Sequence, residues 1–168
     1  KHLVPFLPSH PVVRVGGTEG VGAVSAAPWG SASILLISYA YIRMYGPALK
    51  EMSEVAVLNA NYLLARLKGL YDLPYDRLCM HEFVLSGAPM KRELGIRTLD
   101  LAKRLLDHGM HPPTVYFPLL VDEALMIEPT ETETRESLDG FAAAIESILA
   151  EAEQDPGILA EAPYTTPV

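Results

Sequence analysis

Five histidines and a single cysteine are the side chains best suited to nucleophilic, acid–base or metal chemistry in this chain. His81-Glu82 opens like the His-Glu-x-x-His zinc motif, but the fifth position is Leu85. That motif also needs a helix to place both ligands on one face, and this stretch alternates like a strand. His81 is therefore expected on a strand, bonded to backbone. His108 and His111 are three apart, which would place both on one face of a continuous helix. Gly109 between them ends the helix, so no metal pair is expected, and no metal site is expected elsewhere. His111 precedes Pro112-Pro113-Thr114, and a histidine held on such a loop is a candidate site residue. Cys79, two residues before His81, is expected to be a buried, inert thiol. The glycines between Gly16 and Gly22 match neither phosphate-loop nor dinucleotide-loop spacing. Trp29-Gly30-Ser31 lies where loop becomes helix. Free N–H groups there could take a phosphate, and simple N-capping explains the same residues. Glu128-Pro129-Thr130-Glu131-Thr132-Glu133 reads as a solvated acidic start to a helix.

Composition limits what these groups can serve. The 168 residues are 49% hydrophobic and 20% charged, which excludes a disordered chain. One cysteine excludes a disulfide scaffold. The formal charge of −8, with no visible Lys/Arg cluster, argues against nucleic acid and against anionic membrane surfaces. The longest near-apolar stretch, Ile34 to Ile42, is too short to span a bilayer. The chain opens Lys1-His2-Leu3 without Met or a signal-peptide pattern. It is expected to be a soluble, intracellular piece of something larger.

The elements that must position the candidates follow from punctuation and period. Residues 1–30 form a Pro/Gly-rich arm, since Pro5, Pro8, Pro11 and Pro28 forbid a long helix. Residues 31–46 form a helix that is apolar nearly all round and ends at Gly46. Such a helix is usually buried on more than one side. Residues 47–155 form the body. A helix runs from Pro47 to about Lys68, with Asn59 near its apolar face and in need of backbone partners. Weak and stronger strands follow at Leu70–Tyr75 and Met80–Leu85, then a turn at Gly87-Ala88-Pro89. A helix spans Thr98 to His108, extended segments lie at Thr114–Phe117 and Ala124–Glu128, and a long helix starts at Thr134. Residues 156–168 read as an extended tail. The fold class is α+β: a two-layer body with a mainly antiparallel sheet and helices on one face.

Seven strings in order carry a resemblance. They are Lys1-His2-Leu3 with Pro5-Phe6-Leu7-Pro8; Val24 to Ser31 followed by Tyr39-Ala40-Tyr41-Ile42; and Leu58-Asn59-Ala60-Asn61-Tyr62. After these come His81-Glu82-Phe83, Asp100 to Leu105, Gly109 to Thr114, and Met126-Ile127-Glu128-Pro129-Thr130-Glu131. Together they resemble the C-terminal part of the glycine decarboxylases, the P-proteins of the glycine cleavage system. Pro112 to Pro118 and Ala162 to Val168 are most similar to subunit 2 of the two-subunit bacterial form. The resemblance implies the small C-terminal domain of a fold-type I pyridoxal-phosphate enzyme, with the arm lying on an absent large domain. It implies decarboxylation of glycine, release of CO2, and transfer of the aminomethyl group to the lipoyl group of H-protein. It implies pairing with subunit 1 in an α2β2 heterotetramer in the bacterial cytoplasm. The Schiff-base lysine of the family sits in a His-Lys-Thr motif. None of the five lysines, Lys1, Lys50, Lys68, Lys91 and Lys103, has that context. No catalytic residue is therefore assigned, and these residues alone are not expected to turn over glycine. Trp29, Gly30 and Ser31 become candidates for cofactor contact. His81, His111 and Thr114 become candidates for lining the substrate or lipoyl channel. A non-catalytic α+β binding or regulatory module, or the small domain of another fold-type I pyridoxal-phosphate decarboxylase, are the competing readings.

Overall fold

A computed structural model describes residues 2, 4–6, 17–20 and 32–165. The chain divides into two units, Lys1–Leu49 and Lys50–Val168. In the first, Val4–Phe6 forms a 3-10 turn and α1 spans Ile34–Tyr45. Only Ser38 and Arg43 interrupt its apolar sequence, yet none of its residues is buried, and Leu36 and Ile37 are each 70% exposed. The sequence leads one to expect burial on several sides, and none of the described residues of this unit covers the helix. Gly46 stops the helix at φ 51°, ψ −122°, a conformation open to glycine and strained for other residues, while its N–H still donates to Ile42 O.

The second unit begins with most of α2 (Leu49–Leu67) and continues through β1 (Phe83–Ser86), α3 (Ala88–Leu94), α4 (Thr98–Asp107), β2 (Thr114–Val115), β3 (Ala124–Ile127), α5 (Arg135–Gln154) and α6 (Pro156–Ala160). The three strands form an antiparallel sheet in the order β1-β3-β2. Phe83 pairs with Ile127, Leu85 with Leu125, and Thr114 with Met126. Alternation sends Phe83 and Leu85 into the core, where they meet Leu63 and Leu67 of α2, Leu101 and Leu105 of α4, and Ile145 and Ile148 of α5. Fully burying each such side chain contributes about 1.5–3 kcal/mol. The expected α+β body with an antiparallel sheet is therefore present. No helix among the described residues is long and apolar enough to cross a membrane.

Three local expectations need correction. Leu70–Tyr75 is not a strand; it contributes only the bridges Lys68 to Tyr71 and Asp72 to Ser86. Pro74 removes a donor that a longer ladder would need. Gly87-Ala88-Pro89 is not just a turn but the start of α3, with Pro89 in its first turn, where a missing N–H costs nothing. Residues 156–160 are helical rather than extended. Asp155 both ends α5 and caps α6, its carboxylate accepting from Gly157 N at 3.0 Å.

Buried Glu123, at φ 49°, ties these elements together. Its carboxylate accepts from Thr98 N at 2.9 Å and lies 2.7 Å from Lys91 Nζ. Its backbone oxygen accepts from Gly87 N at 2.9 Å and from Thr98 Oγ1 at 2.8 Å. A Cβ on Gly87 would sit 2.6 Å from that hydroxyl, so the turn admits only glycine without a shift. Burial alone would raise the Glu123 carboxyl; Lys91 and the Thr98 bonds outweigh it and hold it below its ordinary value. A second carboxylate, Asp107 at the end of α4, accepts from the backbone N–H of Tyr164 and Thr165 and from Thr165 Oγ1, each at 2.8 Å. Arg104 bonds it at 3.0 Å and stacks over Tyr164. Burial pushes Asp107 up, but the Thr165, Tyr164 and Arg104 bonds win and lower it from 3.8 to about 2.

Glu123→Ala leaves the Thr98 N–H unpaired inside the protein and should destabilise by about 2–3 kcal/mol in urea unfolding. Tyr71→Phe, which removes a buried hydroxyl without a hydrogen-bond partner, should be neutral or stabilising within about 1 kcal/mol. The Asp107 carboxylate stabilises the fold fully above pH 3.8, and that contribution is lost as pH falls toward about 2. Asp107→Asn should flatten this part of the acid limb in urea titrations taken between these two values.

Candidate functional site

The Pro112-Pro113 pair cannot donate to a ladder, so the chain before β2 stands off the sheet as an irregular wall. Opposite it, β3 ends at Ile127 and Pro129 turns the chain toward α5. Between these walls lies a cleft of about 350 Å3, floored by Leu63 of α2 and by Leu138 and Phe141 of α5. His111, Thr114, Glu128 and Glu133 stand around it, with Met110 and Met126 on its sides.

The acidic wall is held from within. Asn59 on α2 is 8% exposed, and its amide donates to Thr130 O at 3.0 Å and Glu133 O at 3.3 Å. This is the backbone pairing that a buried asparagine demands. Thr134 caps α5 by accepting from Ser137 N at 3.2 Å. The Ser137 hydroxyl donates to Glu133 Oε2 at 2.6 Å and orients that carboxylate.

His111 and Thr114 thus share one cleft. His81 does not line it. It lies just before β1 in a neighbouring groove of about 570 Å3 formed by residues 75 and 77–84. Its Nε2 reaches within 3.7 Å of Glu128 Oε1, so His81 touches the cleft through that carboxylate. Trp29, Gly30 and Ser31 lie outside the described residues. Cys79 is partly buried, and that burial pushes its thiol up, offset in part by a backbone hydrogen bond. The side chain of Asn61 fixes the Cys79 backbone, donating to its oxygen at 2.8 Å and accepting from its N–H at 3.1 Å. A thiol raised by burial is held in its less reactive, protonated form.

The sequence did not mark Glu128 and Glu133 as walls of a cleft, nor Met110, Met126 and Phe141 as its lining. The one available signal was Asn59, a polar residue on an apolar helix face whose partners had to come from elsewhere. The described lysines are all in ion pairs: Lys50 with Glu54 at 3.2 Å, Lys68 with Asp76 at 2.7 Å, Lys91 with Glu123, and Lys103 with Asp100 at 3.2 Å. Arg97 and Arg104 are likewise engaged, with Glu123 and with Glu151 and Asp107. Among the described residues, no three His, Cys, Asp or Glu converge as a metal cluster.

Removing the tie under the acidic wall should loosen it. Asn59→Ala is expected to cost about 1–2 kcal/mol. It should also speed amide exchange at residues 130–137 while leaving the β1–β3 ladder protected, as read by hydrogen-exchange NMR.

Comparison with known proteins adds the following. The family described as the C-terminal domain of glycine dehydrogenase matches residues 52–160. The chain is 53% identical to a protein of Lysinibacillus sphaericus named "Probable glycine dehydrogenase (decarboxylating) subunit 2", covering 99% of this chain and 36% of that protein. Proteins of the same name from Desulforamulus reducens and Bacillus velezensis are 50% and 52% identical, covering 99% and 100% of this chain and again 36% of each relative. The chain therefore spans about a third of the length of the curated relatives it matches.

Proposed function

Because the chain belongs to the glycine dehydrogenase family, through its C-terminal domain, we propose that it is part of subunit 2 of a glycine-decarboxylating enzyme. The intact enzyme releases CO2 from glycine and passes the remaining aminomethyl group to the lipoyl group of H-protein. The observation that carries this reading is the family match over residues 52–160, extended by about 50% identity along the whole chain. Subunit 1 is the proposed partner, in an α2β2 assembly in the bacterial cytoplasm; the name "subunit 2" of the relatives supports a second subunit.

The cofactor of this reading is pyridoxal phosphate, whose ring withdraws electrons from the bond that breaks. The described residues do not fit a covalent cofactor site. Each described lysine is held by a carboxylate, and none lines the cleft. The Schiff-base lysine belongs to the remainder of the intact protein, so this chain alone is proposed to be inactive. Trp29, Gly30 and Ser31 are proposed to approach the cofactor.

In this reading residues 1–30 are an arm on the large domain of a fold-type I enzyme, and residues 31–46 a connecting core helix. Residues 47–155 are the small domain and 156–168 its tail. The apolar circumference of α1 supports a place inside a larger body, since solvent would otherwise meet Leu36, Ile37 and Met44. His111 and Thr114 would line the route of glycine or the lipoyl arm, with His81 reaching it through Glu128. The apolar floor of the cleft would keep water from that route, and the Asn59 and Ser137 bonds would keep its wall in place.

The test uses the intact two-subunit protein with His111→Ala. Exchange of CO2 with glycine in the presence of the lipoyl carrier should fall about 10- to 100-fold. The visible absorbance of bound cofactor should stay unchanged. Unaltered exchange would remove His111 from the route, and lost absorbance would move it to the cofactor site.

A further inference from the structure

The cleft has a charge pattern that lining a route for glycine does not require. Its floor and sides are apolar, with Met110, Met126, Leu138 and Phe141 among them. The carboxylates Glu128 and Glu133 stand on its wall, and among the described residues no lysine or arginine lines it. A volume of about 350 Å3 falls in the range, ~300–1,000 Å3, of pockets that take small ligands. An apolar surface gains from covering methylene groups, at about 0.8 kcal/mol for each one buried. A carboxylate at its margin adds attraction for a positive group and repulsion for a negative one. The wall is built before any ligand arrives, because buried Asn59 fixes its backbone and Ser137 orients Glu133. Glu133 keeps acceptor capacity beyond the Ser137 bond. The cation nearest Glu128 is His81, at 3.7 Å and only when protonated.

We propose that this cleft seats an alkyl arm that ends in an ammonium group. The methylenes lie on Met110, Met126 and Phe141, and the ammonium sits at the Glu128 and Glu133 wall. The identity of the arm rests on the function proposed above. It is the carrier's lipoyl arm after it has received the aminomethyl group, which protonates to an ammonium. The empty arm has the same chain and no charge. The two carboxylates are therefore specificity-determining residues that hold the loaded arm in preference to the empty one.

The experiment uses the intact two-subunit protein labelled with [13C-methyl]methionine. The probes are octylammonium chloride, octanamide and sodium octanoate, each below its aggregation limit. The Met110 and Met126 methyl signals, assigned by Met→Leu substitution, should shift saturably with octylammonium. Octanamide should bind about tenfold more weakly, a difference of about 1.4 kcal/mol, and octanoate more weakly still. The isosteric double substitution Glu128→Gln and Glu133→Gln should bring octylammonium down to the affinity of octanamide. The Met52 and Met90 signals report that this variant remains folded. Equal binding of octanoate and octylammonium would overturn the proposal. So would an unchanged amine preference in the double variant, or silent Met110 and Met126 methyls. Release of labelled CO2 from glycine is measured on the same preparation. Amine-selective binding without that release overturns the proposed reaction, and with it the identity of the arm, but leaves the alkylammonium site. Release without selective binding overturns the alkylammonium site alone.

Discussion

A buried carboxylate, Glu123, is the constraint on which the body of this protein depends. It sits at the start of β3 with its side chain turned into the protein and its backbone at φ 49°. From that one residue bonds run to the turn after β1, to α3 and to the first N–H of α4. A charge in such a place is tolerated only when it is paired and fully hydrogen-bonded. Lys91, Thr98 and the more distant Arg97 meet that demand together. The positive φ costs conformational energy, and the network holds it in place. β3 is the central strand, so what fixes its start also sets the register of both neighbours.

The candidate site hangs from the other end of that strand. Met126 pairs with Thr114 across the sheet, and one residue beyond the ladder Glu128 enters the cleft wall. The opposite support comes from α2, through an amide that reaches residues 71 and 74 positions away. Scaffold and site are therefore one set of contacts. The sheet carries His111 and Thr114 on one side, while α2 and α5 hold the acidic side against it.

Much of this was readable in the residues. The periods of Leu101, Leu105 and of Leu138, Ile145, Ile148 place α4 and α5, and Thr134 marks the start of the latter. Pro112-Pro113 mark His111 as a loop residue and Thr114 as the start of an extended segment, which is β2. What escaped has physical causes. Ala88–Leu94 is short and charged, so its apolar face rests on Met90 alone among its buried residues. Asp155-Pro156-Gly157 has the composition of a stop, and the same three residues start a new helix when the aspartate caps it. Leu70–Tyr75 has strand composition but finds only isolated bridges. The acidic run at 128–133 is mostly exposed, as its composition implies, and the cleft that Glu128 and Glu133 border exists only because the chain leaving α4 brings Met110 and α5 brings Phe141 beside it. The family resemblance, carried by short strings, was borne out along the whole chain. It says nothing of the contact between Asn59 and the acidic wall, which only the fold creates.

The latch at Asp107 has a consequence for how the body opens. Its three bonds to Tyr164 and Thr165 close a loop of 58 residues without a covalent link. Inside that loop lie β2, β3, α5 and α6. The latch thereby restrains α6, a helix of five residues that could not stand by itself. Opening of α6 cannot then proceed one turn at a time from the Tyr164-Thr165 side. It must first release a carboxylate from four donors, counting Arg104. Opening of α6 is thus coupled to the end of α4 and becomes part of a larger cooperative unit.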